Sequence, residues 1–255
     1  MKVALIQMNL AWEDAPTNHT QAAAHLRVAA AGGARLAVLP ELFCSGFTMN
    51  AARVAEPLDG QTVAFLRSQS TALNLHVIAG VPIAEGRPTN RAVLVSPDGD
   101  VRTYTKIHPF SFSEDQRHYA AGDSVVVWDV EGLRVCPFVC YDLRFPEPFR
   151  LAADATDAYV VIASWPERRA AHWRALLTAR AIENQAYVLG VNRVGEGGGL
   201  SYRGDSAAID PWGEALVSAA QVEAVLFADV LPAVVDGARA TFPPLKDRKD
   251  VRFSP

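Results

Sequence analysis

The chain has 255 residues, 50% hydrophobic and 20% charged, with a net charge of −4. This is the balance of a globular protein that buries about three quarters of the surface its unfolded chain exposes. The mildly acidic balance, with no basic stripe interleaved with aromatics, argues against nucleic acid, and no apolar run reaches the roughly 20 residues that cross a bilayer.

The start, Met1-Lys-Val-Ala-Leu-Ile, enters a strand pattern at once, so no signal peptide is expected. Residues 2–9 read as a strand and 17–31 as an alanine-rich helix ended by Gly32-Gly33. Next come a short buried strand at 36–39, a helix at 61–73 and a strand at 76–81. Strands at 91–96 and 100–106 flank the turn Pro97-Asp-Gly-Asp. The second half repeats the theme. Strands at 125–130 and 133–139 flank Glu131-Gly132. After them come a helix at 147–153, a buried strand at 158–163 and a long helix at 169–185. On that helix Trp173, Leu176, Leu177, Ala181 and Ile182 share a helical period and are expected to face the core. Strands at 187–192, 206–209 and 225–230 complete the pattern, and Gly195-Glu-Gly-Gly-Gly199 reads as a flexible loop.

Helices separating buried strands, with hairpins interspersed, predict an α/β fold of mixed sheets covered by helices. No Pro-, Ser- or charge-biased linker divides the chain, so one domain over 1–255 is expected. Residues 241–255 form a tail without periodicity, either solvated or an arm on a partner subunit. Cys44, Cys136 and Cys140 form an odd set with neither disulfide-framework nor zinc spacing. Reduced thiols, a cytoplasmic location and no metal or other cofactor are the expectation.

Three strands end on residues that suit one chemistry. Ala37-Val-Leu-Pro-Glu41 ends on a carboxylate, Val101-Arg-Thr-Tyr-Thr-Lys106 on an ammonium and Leu133-Arg-Val-Cys-Pro-Phe-Val-Cys140 on a thiol. The carboxyl ends of strands are where α/β sheets bind ligands. A polar turn and a helix-like stretch after Cys140 place the thiol beside a positive helix end, where a thiolate is favoured. Delivered to one sheet edge, these groups form a thiol hydrolase that needs no histidine. Taken alone, each has a plainer reading: a buried small hydrophobe, a paired acid, a solvated strand end. His108, His118 and His172 stay open as rival bases, and a non-catalytic scaffold stays open as a different class.

Leu39-Pro-Glu41-Leu-Phe, Thr105-Lys106-Ile-His and Cys140-Tyr-Asp-Leu-Arg-Phe-Pro-Glu, in that order, resemble the nitrilase superfamily of carbon–nitrogen hydrolases over nearly the whole chain. The resemblance implies a four-layer α-β-β-α sandwich and a homodimer. It casts Glu41 as general base, Lys106 as electrostatic stabiliser and Cys140 as nucleophile. The backbone N–H of Tyr141 joins Lys106 as oxyanion donor. A second acid between the Lys and the Cys falls on Glu114, with Asp115 as its competitor.

Three finer stretches resemble the bacterial omega-amidase branch. They are Glu41-Leu-Phe-Cys-Ser-Gly-Phe-Thr-Met49, Ala163-Ser-Trp165-Pro-Glu-Arg-Arg169 and the run from His172 to Val188. That branch hydrolyses the terminal amide of 2-oxoglutaramate or 2-oxosuccinamate, small molecules with a distal carboxylate. Arg144 and Arg168 can supply a guanidinium fork for that carboxylate, with Phe47 and Trp165 walling the pocket. The alternatives within the superfamily are a nitrilase and an N-carbamoyl amino acid hydrolase.

Overall fold

The computed structural model describes residues 1–249. Its first half comprises β1 (Lys2–Gln7), α1 (Ala15–Ala31), β2 (Leu36–Val38), α2 (Ala51–Val54), α3 (Gln61–Leu73), β3 (His76–Ile83), β4 (Thr89–Val95), β5 (Val101–Thr105) and α4 (Asp115–His118). The second comprises β6 (Trp128–Val130), β7 (Leu133–Val139), α5 (Pro146–Leu151), β8 (Ala158–Ala163), α6 (Ala170–Asn184), β9 (Tyr187–Asn192), β10 (Val194–Gly197), β11 (Leu200–Ile209), β12 (Ala215–Ala220), β13 (Ala224–Asp229) and α7 (Pro232–Thr241). Helix α1 begins ahead of the expected position because Asp14 caps it, accepting the Thr17 N–H at 3.1 Å. Helix α3 ends where Asn74 adopts a left-handed conformation, and α6 where Gln185 does.

One sheet runs β13-β1-β2-β3-β4-β5, parallel across β1, β2 and β3 and antiparallel elsewhere. The other runs β10-β11-β9-β8-β7-β6, parallel across β7, β8 and β9, with β12 also on β11. Side chains alternate along each strand. Val3, Leu5, Val38 and Ile78 therefore meet Val135, Phe138 and Val160 of the other sheet in one buried cluster. Ala4, Ile6, Ala37 and Val77, on the opposite face of the same strands, pack with Leu26 of α1 and Val63 of α3. Trp173, Leu177 and Ala181 of α6 cover the second sheet. The layers are α-β-β-α, as the resemblance implies, and the burial of both strand faces explains the near-continuous apolar runs.

Two expectations are corrected, and two stretches that the sequence left open are placed. Ile182 is 51% exposed, so the core stripe of α6 stops at Ala181. The run Gly195–Gly199 is a β-hairpin rather than a loop. Val194–Gly197 pairs with Leu200–Arg203, Gly198 and Gly199 take positive φ in the turn, and the buried Arg193 donates to Leu10 O at 3.2 Å and Glu196 O at 2.8 Å. Residues 232–241, unassigned from sequence, form α7. The first part of the tail folds back on the chain itself. Phe242 O accepts from Gln185 Nε2 at 2.5 Å, Leu245 is buried, and Arg248 pairs with Asp154 at 2.5 Å. The rest of the tail, 250–255, lies outside the described residues.

Candidate active site

Strand β2 runs into Leu39-Pro40 and delivers Glu41 at its end, fully buried. The turn closes with Leu42 at φ +46. It fits because Gly80 of β3 lies directly beneath, where a Cβ would stand 2.5 Å from Glu41 Cα. Three donors hold the carboxylate. Asn90 Nδ2 and Lys106 Nζ reach Oε1 at 2.8 and 3.2 Å, and the Ser164 N–H reaches Oε2 at 2.8 Å.

Lys106 lies just past β5, its own backbone N–H donating to Asn90 O at 2.9 Å. Its ammonium also donates to Asp115 Oδ2 at 3.0 Å, the oxygen that accepts the Phe110 N–H at 2.8 Å. Burial alone favours the neutral amine, but Glu41, Asp115 and the nearby Cys140 sulfur outweigh it and raise the Lys106 pKa. The acid on Lys106 is therefore Asp115 and not Glu114. Glu114 occupies the left-handed position between a 3-10 turn and α4, which turns its side chain outward to an exposed pair with Arg117 at 2.6 Å.

Cys140 stands at the end of β7 with φ +48, a backbone conformation that costs a non-glycine residue roughly 1–2 kcal/mol. The chain continues into a 3-10 turn, Cys140–Arg144, before helix α5 begins at Pro146. Burial pushes the thiol well above the ordinary cysteine range, and the charge of Glu41 pushes the same way. Lys106 and the Ser164 N–H only partly oppose them. Burial and the Glu41 charge thus work against the thiolate that the sequence places beside a helix end. Tyr141 is the second residue of the 3-10 turn, among the first positions whose backbone N–H groups have no partner within the helix.

These residues border a cavity of about 170 Å³ lined by Cys140, Lys106, Phe47, Tyr141, Trp165, Arg144 and Arg168. Lys106 Nζ lies 5.2 Å from the centre of the Phe47 ring, and the Arg144 guanidinium stacks 4.8 Å from that of Trp165. Arg144 also donates to His172 Nδ1 at 3.2 Å. Arg169, Ser164 and Phe110, not singled out in the sequence, line the cavity too. Burial and the neighbouring charges of Arg168 and Arg144 lower the Arg169 pKa. Among the described residues none of these three arginines pairs with a carboxylate. No histidine is among the lining residues, and His108 instead turns its Nδ1 to Asp142 at 2.8 Å. Cys44 and Cys136 are buried elsewhere as free thiols, with the Cys44 pKa pushed up to about 12 by burial and by Glu56.

The chain is similar to the omega-amidase YafV of Escherichia coli K12, 40% identical over 99% of this chain and 98% of that protein. It is 36% identical to the 2-oxoglutaramate amidase of Paenarthrobacter nicotinovorans, over 87% of this chain and 81% of that one. Among solved structures it superposes on XC1258 of Xanthomonas campestris, a CN-hydrolase superfamily protein with an arsenic adduct in its active site. The TM-score is 0.94 and the identity 36%, covering 100% of this chain and 99% of that one. The carbon–nitrogen hydrolase family model matches residues 2–240, and the chain belongs to that family.

Proposed function

We propose that the protein is a cysteine-dependent amidase that hydrolyses the terminal amide of small 2-oxo dicarboxylate monoamides such as 2-oxoglutaramate and 2-oxosuccinamate. The observation that carries this reading is the buried Glu41–Lys106 pair beside the half-buried Cys140, opening onto a small cavity with three guanidiniums in its wall. Relatives named omega-amidase and 2-oxoglutaramate amidase support it.

The contacts support the following chemistry. Substrate entry completes the desolvation of the site, and the Cys140 proton passes to Glu41 as the sulfur bonds to the amide carbon. The carbonyl π electrons move to oxygen, where Lys106 and the Tyr141 N–H meet the oxyanion; one such donor is worth about 3–4 kcal/mol of barrier. When the tetrahedral adduct collapses, the C–N bond breaks and the nitrogen takes the proton from Glu41, leaving as ammonia. Glu41 then deprotonates a water that attacks the thioester. The C–S bond breaks, the proton returns to sulfur, and amide plus water has become acid plus ammonia. Asp115 keeps Lys106 charged and aimed.

Ammonia release from 2-oxoglutaramate tests the reading. It should fall by at least about 10³-fold in Cys140→Ala. Turnover of an alkyl nitrile or an N-carbamoyl amino acid in preference to any amide would overturn the substrate class. We further infer a homodimer working in the cytoplasm, the former open to sedimentation analysis.

A further inference from the structure

We propose that Asp142 is the positioning residue of the nucleophile, a buried carboxylate that holds Cys140 in its left-handed conformation and sets its place relative to Lys106. The proposal rests on the reading of Cys140 as nucleophile.

Asp142 is fully buried, two residues beyond Cys140, and it does not line the cavity. It cannot touch a bound substrate, so any effect on the reaction passes through its neighbours. Four donors converge on it. Oδ2 accepts the Val139 N–H at 3.0 Å and the Tyr104 hydroxyl at 2.8 Å. Oδ1 faces the His108 N–H at 2.9 Å and His108 Nδ1 at 2.8 Å. A desolvated carboxylate is tolerated where it is saturated with donors in this way.

The origin of those donors is what points to positioning. Val139 immediately precedes Cys140, so one bond anchors the backbone just before the strained residue. Tyr104 and His108 lie two residues on either side of Lys106, so the others anchor the segment carrying the cation. One side chain therefore ties the end of β7 to the end of β5, the two chain segments that deliver sulfur and ammonium. Phe145 closes the turn, its N–H donating to Asp142 O at 3.0 Å and its ring stacking 3.7 Å from that of His108. A left-handed conformation at a residue other than glycine persists where the surroundings over-determine it, and this network supplies that constraint. An asparagine cannot replace the carboxylate, because its NH₂ would face groups that are themselves donors.

The test is full-length Asp142→Asn, assayed for ammonia release from 2-oxoglutaramate and for the rate at which iodoacetamide alkylates Cys140. We expect kcat and the alkylation rate to fall together by about 10²-fold, with KM held within about threefold. Tyr104→Phe and His108→Phe, which each remove one donor and keep a ring, should show smaller losses of the same kind. A folded Asp142→Asn protein with both rates within about twofold of wild type overturns the proposal. Should that variant not fold, unchanged rates in both ring variants overturn it equally. Cys140→Ala run alongside separates the two ideas. Retained turnover there removes the nucleophile reading, while the alkylation rate still judges Asp142; lost turnover with an unaffected Asp142→Asn removes the positioning role alone.

Discussion

Lys106 Nζ lies 3.2 Å from Glu41 Oε1, so the proposed base and the proposed oxyanion donor form one buried ion pair. Replacing the ammonium with a neutral chain of similar length would strand the Glu41 and Asp115 carboxylates in the interior. We expect Lys106→Met to lower kcat by about 10²–10³-fold. Urea unfolding should show a stability loss of about 3–5 kcal/mol, the usual result of removing one partner of a buried pair.

Asp115 and Glu114 are adjacent yet differently placed. The first contacts Lys106 from the interior and the second is a surface ion pair. A hydrogen bond to a charged group is worth about 1.5–3 kcal/mol, so Asp115→Asn should cut kcat by about tenfold or more. Glu114→Gln should remain within about twofold of wild type. Parallel ammonia assays decide between them.

The arginine wall predicts discrimination by substrate charge. Arg169→Ala should raise KM for 2-oxoglutaramate by about 10- to 100-fold and leave a neutral amide of similar size within about twofold. Equal effects on both substrates would assign Arg169 to cavity shape instead.

Buried thiols bear on stability at alkaline pH. Burial, then the charge of Glu56, pushes the Cys44 pKa up to about 12, above that of an unfolded cysteine at roughly 8.5. Above the unfolded value the unfolded chain releases a proton that the folded chain keeps. Cys44 therefore contributes full stability below about pH 8.5 and loses about 1.4 kcal/mol per pH unit as pH rises toward the folded value. Thermal unfolding from pH 8 to 10 should show a smaller decline for Cys44→Ala than for wild type.

The strand ends Glu41 and Cys140 are legible because each closes an apolar run, while Lys106 closes the alternating strand Val101–Thr105 and stands out through the resemblance; the helix at 61–73 is bounded by Gly60 and Asn74. The choice between Glu114 and Asp115 was not legible. One residue of phase decides which acid faces inward, and that phase is set by the left-handed Glu114. The hairpin of β10 and β11 was hidden by its glycines, since the force ordering it is the buried Arg193 reaching back to residues near the start of the chain. Asn90 and Ser164, which hold the base, give no local signal. They matter through partners far along the chain, 49 and 123 positions away.

Gly80 has no side chain to offer the chemistry, yet the backbone bearing the base rests on it. Even one added methyl group would push Glu41 off its three donors. In a saturation library selected for turnover, this chemically silent position should be as intolerant of change as the sulfur itself, and a surviving Gly80→Ala clone should carry a compensating shift in the 40–42 turn.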